Sequence, residues 1–128
     1  MKYHISKTVT GNFDEVVNKV KEELKKEGFG VLTEIDIKNT LKNKLDVDFR
    51  KYTILGACNP GYAHNALLAE DKVGTMLPCN VIVQEKGEGK IEVAAVNPKA
   101  SMMAIDNDSL KELATDVTQK LEKVVAGV

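Results

Sequence analysis

A chain of 128 residues with 43% hydrophobic and 29% charged residues is long enough to form one domain, residues 1–128, around its own core. The net charge of −1, the absence of tryptophan and the scarcity of Tyr and Phe argue against a nucleic-acid-binding surface. No stretch approaches the ~18 apolar residues of a membrane span, and no apolar run of signal-peptide length follows Met1. We therefore expect a cytoplasmic protein with two reduced cysteines that binds neither nucleic acid nor membrane.

The first half of the chain predicts two strands and two helices. A strand over Tyr3–Val9 precedes an amphipathic helix that Asn12 begins and Gly28 ends, with Gly28 in the left-handed conformation. Alternating residues predict a second strand over Val31–Ile35. Apolar residues spaced four apart then predict a short helix over Lys38–Leu45.

The second half predicts three strands and two helices. A strand over Phe49–Ala57 precedes a helix that begins at Pro60. Cys79–Glu85 and Lys90–Val96 form a hairpin, and a capping box at Ser109–Glu112 starts a long C-terminal helix. The element order is β-α-β-α-β-α-β-β-α. Because each long helix has one apolar face, we predict an α/β (α+β) fold of two layers, with the helices packed on one face of the sheet.

The segment from Gly56 to His64 holds the highest density of side chains that could react or bind a ligand. Cys58 ends a strand just before a helix, where unpaired N–H groups and the helix dipole stabilise an anion. That anion would be the Cys58 thiolate or a bound carboxylate or phosphate. The competing interpretation is a small buried thiol, which we favour because no activating base lies beside it in the sequence. We therefore expect Cys58 to be buried and inert.

Cys79 begins a later strand, so the two cysteines can meet at strand ends. Cys58, His64 and Cys79 would then supply three ligands of the kind that zinc takes. No fourth ligand lies nearby in the sequence, so we expect no bound metal, and we also expect no cofactor. The sequence has no C-x-x-C motif, so we expect no dithiol redox pair. Asn59 and Asn80 flank the cysteines, and we interpret them as cap and turn residues.

Two cysteine-containing segments, Tyr52–Pro60 and Leu77–Val81, carry a family resemblance. Together with Phe29–Asp36, Asn97–Pro98 and Met102–Met103, they resemble the domain-of-unknown-function family numbered 302, over nearly the whole chain. The resemblance implies a compact α/β fold with helices packed on a mostly antiparallel sheet, and often a homodimer. It implies no established activity.

The two cysteine segments also define a candidate site. We expect a pocket between residues 58–64 and 77–80, where two element ends with polar caps converge among apolar neighbours. The function we favour is a small non-catalytic ligand-binding protein or a dimeric interaction protein. The alternative is a thiol or metal-thiolate enzyme, or a redox protein, that uses both cysteines. The candidate ligand-binding residues are Cys58, Asn59, Pro60, His64, Cys79 and Asn80.

Overall fold

The computed structural model describes residues 1–128 and contains five strands, five α-helices and one 3-10 helix. The elements are β1 (His4–Thr10), α1 (Phe13–Lys26), β2 (Gly30–Asp36), α2 (Ile37–Leu45), β3 (Tyr52–Cys58), α3 (Pro60–Ala69), a 3-10 helix (Asp71–Met76), β4 (Cys79–Gly87), β5 (Lys90–Val96), α4 (Pro98–Ser101) and α5 (Asp108–Gly127). The predicted order is confirmed, and the 3-10 helix and the one-turn helix α4 are added to it.

All five strands belong to one antiparallel sheet in the order β1-β5-β4-β3-β2. The predicted hairpin joins β4 to β5, and Gly89 occupies its turn with a φ of +71°, a conformation that glycine adopts without steric cost. β1 and β2 are the edges of the sheet. The fold class expected from the sequence is therefore confirmed, including the antiparallel sheet that the family resemblance implied.

The main core lies between one face of the sheet and the long helices α1 and α5. Alternate strand residues such as Val81 and Val93 point to this face and pack against Val20 and Leu121 of the helices. Residues between them, such as Ile82, line a groove on the opposite face, where neither long helix packs. None of the helices combines the length and the apolar character needed to cross a membrane.

The predicted capping chemistry is confirmed at both ends of α1 and is wrong at the starts of α3 and α5, where the side chains of Asn59 and Ser109 do not cap the helix. Asn12 accepts a hydrogen bond from the Glu15 amide at 3.1 Å, and Gly28 ends α1 with a φ of +85°. The capping box predicted at residue 109 is wrong, because α5 begins two residues earlier. Asn107 caps it by accepting from the Leu110 amide at 3.2 Å, and it also donates to the carbonyl of Ala69 at 2.8 Å. This second, tertiary hydrogen bond explains why Asn107 is the cap.

Candidate functional site

A cavity of about 320 Å³ lies between α3, α5 and the adjacent ends of β3 and β4. Fifteen of its 18 lining residues are hydrophobic, and none carries a charge. The lining residues are Phe29, Leu32, Ala57, Cys58, Asn59, Tyr62, Ala63, Ala66, Leu67, Leu77, Pro78, Cys79, Pro98, Met102, Leu110, Leu113, Ala114 and Val117.

Small side chains on three elements leave this space open. Ala57 on β3, Ala66 on α3 and Ala114 on α5 are buried in the cavity wall, where larger residues would fill the gap between the elements. Leu32 lines the rim of the cavity, and it sits where a register shift in β2 leaves it without a partner on β3. Leu32 is 67% exposed, so this part of the cavity wall reaches solvent.

Both cysteines line the cavity. Cys58 ends β3 and Cys79 begins β4, and the antiparallel register places Ala57 opposite Cys79, so the two thiols sit at the same end of adjacent strands. Burial, and secondarily the charge of Cys58, raises the pKa of Cys79 to about 11. Cys79 is therefore a neutral thiol near pH 7. Cys58 is half-buried, whereas the sequence predicted a buried residue, because it lies where the cavity meets the helix start.

The remaining predicted site residues separate into those at the cavity and those outside it. Asn59 lines the cavity, and its Nδ2 donates to the carbonyl of Glu27 at 3.2 Å instead of its side chain capping α3. Pro60 is the first residue of α3, as predicted, and is exposed. His64 is exposed on α3 and does not line the cavity. Asn80 is exposed and lines the groove on the opposite face of the sheet. The structure thus brings together Cys58, Asn59 and Cys79.

Eight of the 18 lining residues belong to α3 and α5, which the sequence predicted as helices without assigning them to a site. Tyr62 and Ala66 of α3, and Leu110, Ala114 and Val117 of α5, line the cavity. One signal was present in the sequence: Ala114 interrupts a stripe that otherwise consists of Leu and Val. Small residues in an apolar stripe are also what close helix packing requires, so this signal does not identify a cavity without the neighbouring elements.

Few residues that line the cavity carry groups that could take part in a reaction. Its lining has two thiols, one tyrosine and one side-chain amide as polar groups, and it has no histidine or carboxylate that would act as a general base. No group of three or more His, Cys, Asp or Glu side chains comes together anywhere in the chain to hold a metal ion. The arrangement suits the burial of an apolar molecule.

Comparison with known proteins supports the fold and gives no activity. A crystal structure of an uncharacterized conserved protein DUF302 from Bacillus stearothermophilus superposes with a TM-score of 0.92 and 29% sequence identity, over 99% of this chain and 98% of that one. No protein of curated function matches the chain. The family model described as domain of unknown function DUF302 matches residues 5–128. The chain therefore belongs to the DUF302 family.

Proposed function

We propose that this protein binds a small molecule in the cavity between α3 and α5 and catalyses no reaction there. The observation that carries the proposal is the cavity of about 320 Å³ with its predominantly hydrophobic wall. Ligand sites are typically concave, mostly apolar and about 300–1,000 Å³ in volume, with a few polar groups that orient the ligand. Asn59, Cys58, Cys79 and Tyr62 carry the polar groups of this cavity.

Burial of apolar surface would supply the affinity. Each square ångström of apolar surface that leaves water contributes about 25 cal/mol, and the lining offers mainly aliphatic and aromatic contacts. The strand ends and the two helices come from the packed core, so the wall is largely formed before a ligand arrives. A preformed wall reduces the cost of ordering side chains on binding.

Native mass spectrometry of the protein purified from its own source tests this proposal. We expect a noncovalent small molecule on the wild-type protein and its absence from Ala114→Leu, which fills the cavity from α5. Ala126→Leu is the matched control, because Ala126 is exposed on the same helix. Retention of the molecule by Ala114→Leu, or its absence from every form, would contradict the proposal. A thermal melt of each variant establishes that the fold is retained.

We also propose that the protein is a homodimer, in which the groove on the open face of the sheet packs against a second copy. A two-fold interface must be complementary to itself. This face combines apolar Ile82 and Ala94 with two hydrogen bonds through which neutral Gln84 connects a cation to an anion. Arg50 Nε donates to Gln84 Oε1 at 2.8 Å, and Gln84 Nε2 donates to Glu92 Oε1 at 2.8 Å. Gln84 is only 7% exposed, so the chain of hydrogen bonds is held in place.

Light scattering at micromolar concentration tests the dimer. We expect a dimer mass for the wild type and a monomer mass for Ile82→Glu, which introduces a charge on the open face. Leu68→Glu is the control, because Leu68 is 74% exposed on α3, away from this face. A monomer mass for the wild type would contradict the homodimer.

Thiol chemistry at Cys58 and Cys79 is the alternative function. Its support is that both residues line one cavity. We favour binding because the raised pKa of Cys79 keeps that sulfur protonated near neutral pH, and the thiolate is the reactive form. The two free thiols are also the reason for proposing a cytoplasmic location, where cysteines remain reduced.

A further inference from the structure

We infer that the ligand of this cavity is an uncharged molecule of roughly one or two rings, and that the cavity discriminates against the ionised form of the same compound. This inference rests on the proposed function and narrows it to one chemical class. It is carried by the volume of the cavity and by the absence of any charged side chain from its 18 lining residues.

The volume sets the size of the ligand. An apolar cavity of roughly 150 Å³ in another protein stays dry and binds benzene. The present cavity, at about 320 Å³, has space for a substituted single ring or for two rings. Its partial openness beside the exposed Leu32 gives such a molecule a path of entry.

The lining sets the charge of the ligand. An ionised carboxylate or phenolate that enters loses its hydration, and no cationic side chain of the wall compensates for that loss. The start of α3 offers only the partial positive charge of a helix end, and Pro60, its first residue, has no N–H to donate. Cys79 experiences the same environment: burial is the largest cause of its pKa rising from 9.0 to about 11, which disfavours the thiolate by roughly a hundredfold. A ligand anion would meet a penalty of the same sign.

The titratable groups around the cavity do not reverse this preference. Cys58 and Cys79 lie on the strands and Tyr62 on α3, and none of them is a cation. On α5, the Nζ of Lys120 lies 6.0 Å from the centre of the Tyr62 ring, and Lys120 does not line the cavity. His64 points away from the cavity into solvent. Asn59 lines the cavity with a neutral side-chain amide, and its Nδ2 already donates a hydrogen bond to the carbonyl of Glu27.

One compound that changes charge without changing shape gives the sharpest test. The hydroxyl of para-nitrophenol ionises near neutral pH, and only the phenolate is yellow. Selective binding of the neutral phenol raises the pKa of the bound probe, so saturating protein should reduce the yellow absorbance at the pKa of the free probe. We expect the pKa of the probe to rise by at least one unit, which is at least a tenfold preference for the neutral form. The permanently neutral para-nitroanisole should bind equally below and above that pH.

Variants of the protein show whether the probes bind in the cavity and whether the pKa shift arises there. Ala114→Leu should lose both probes and the pKa shift, while Ala126→Leu should keep them. Binding of both probes without a shift would overturn the inference and leave the proposed function standing. A lowered pKa of the probe would also overturn the inference, and reversal of that shift in Lys120→Gln would assign it to the amine. Failure of the wild type to bind either probe would contradict both the inference and the proposed binding function of the cavity.

Discussion

The side-chain nitrogen of Asn59 donates a hydrogen bond to the backbone carbonyl of Glu27 at 3.2 Å, and this bond joins the start of α3 to the end of α1. Asn59 also forms part of the cavity wall. Asn59 occupies the N-cap position of α3, yet its side chain accepts no hydrogen bond from that helix. Its role is therefore to connect two elements across the fold and to hold one edge of the cavity.

Removal of this connection should weaken the fold. We expect Asn59→Ala to lower the free energy of unfolding by about 1 kcal/mol, since an intramolecular hydrogen bond contributes about 0.5–1.5 kcal/mol net. Urea denaturation measures the change. Asn65→Ala is the control on the same helix, because Asn65 is exposed and alanine favours the helix. An equal loss in both variants would show that the hydrogen bond to Glu27 has no specific role.

Gly28 lies against the same asparagine. Its φ of +85° is a left-handed conformation, and a Cβ at this position would lie 3.1 Å from Asn59 Nδ2. Gly28→Ala should therefore lower the free energy of unfolding by about 1–2 kcal/mol in thermal or urea unfolding. Gly61→Ala is the control, because a Cβ there meets no atom within 4 Å. Because the two sites touch, Gly28→Ala combined with Asn59→Ala should cost less than the sum of the two changes.

Thr33 and Pro78 lie so close to Gly56 on the open face of the sheet that they leave no space for a side chain there. A Cβ on Gly56 would lie 2.8 Å from Pro78 Cγ and would also collide with Thr33 Oγ1. Since Gly56 is buried within β3, Gly56→Ala should destabilise the protein by about 1–3 kcal/mol through this overpacking. Chemical denaturation gives the magnitude. A stability equal to that of Gly87→Ala, where a Cβ has open space, would contradict the explanation.

Cys79 should be unreactive in the folded protein. With its pKa raised to about 11 by burial, it should resist iodoacetamide at pH 7 and react only after denaturation. Cys58 is half-buried beside no general base, so it should react slowly but ahead of Cys79. Mass spectrometry of digested samples over time follows each residue. Rapid native labelling of either cysteine would favour the thiol-enzyme alternative.

The raised pKa also predicts a pH dependence of stability. Between pH 9.0 and about 11 the unfolded chain loses the Cys79 proton while the folded protein keeps it. The stabilisation is thus complete below the unfolded pKa and is lost as pH rises through the folded pKa, by roughly 1–3 kcal/mol. The difference between wild type and Cys79→Ala across this range isolates the effect from other titrating groups. A difference that does not change with pH would show that burial does not shift the thiol.

The local elements of this fold were predictable from the sequence because their signals act over a few residues. Asn12 and Gly28 bound α1 through a side-chain acceptor and a left-handed backbone, which the residue types alone specify. The Gly87–Gly89 turn between two alternating strands likewise specified the hairpin. The apolar stripe of α5 required a sheet to cover it, so the two-layer arrangement also followed.

The candidate site depended on contacts between distant segments. Cys58, Asn59 and Cys79 share a cavity because β3 pairs with β4 in one register, and no local pattern specifies that register. His64 lies close to Cys58 in sequence, yet the turn of α3 directs it to solvent. Asn107 caps α5 in place of the predicted Ser109, because Asn107 also donates a hydrogen bond to the distant carbonyl of Ala69. The cavity itself exists because small residues of three separate elements face one another, and only the packing of those elements determines which residues meet.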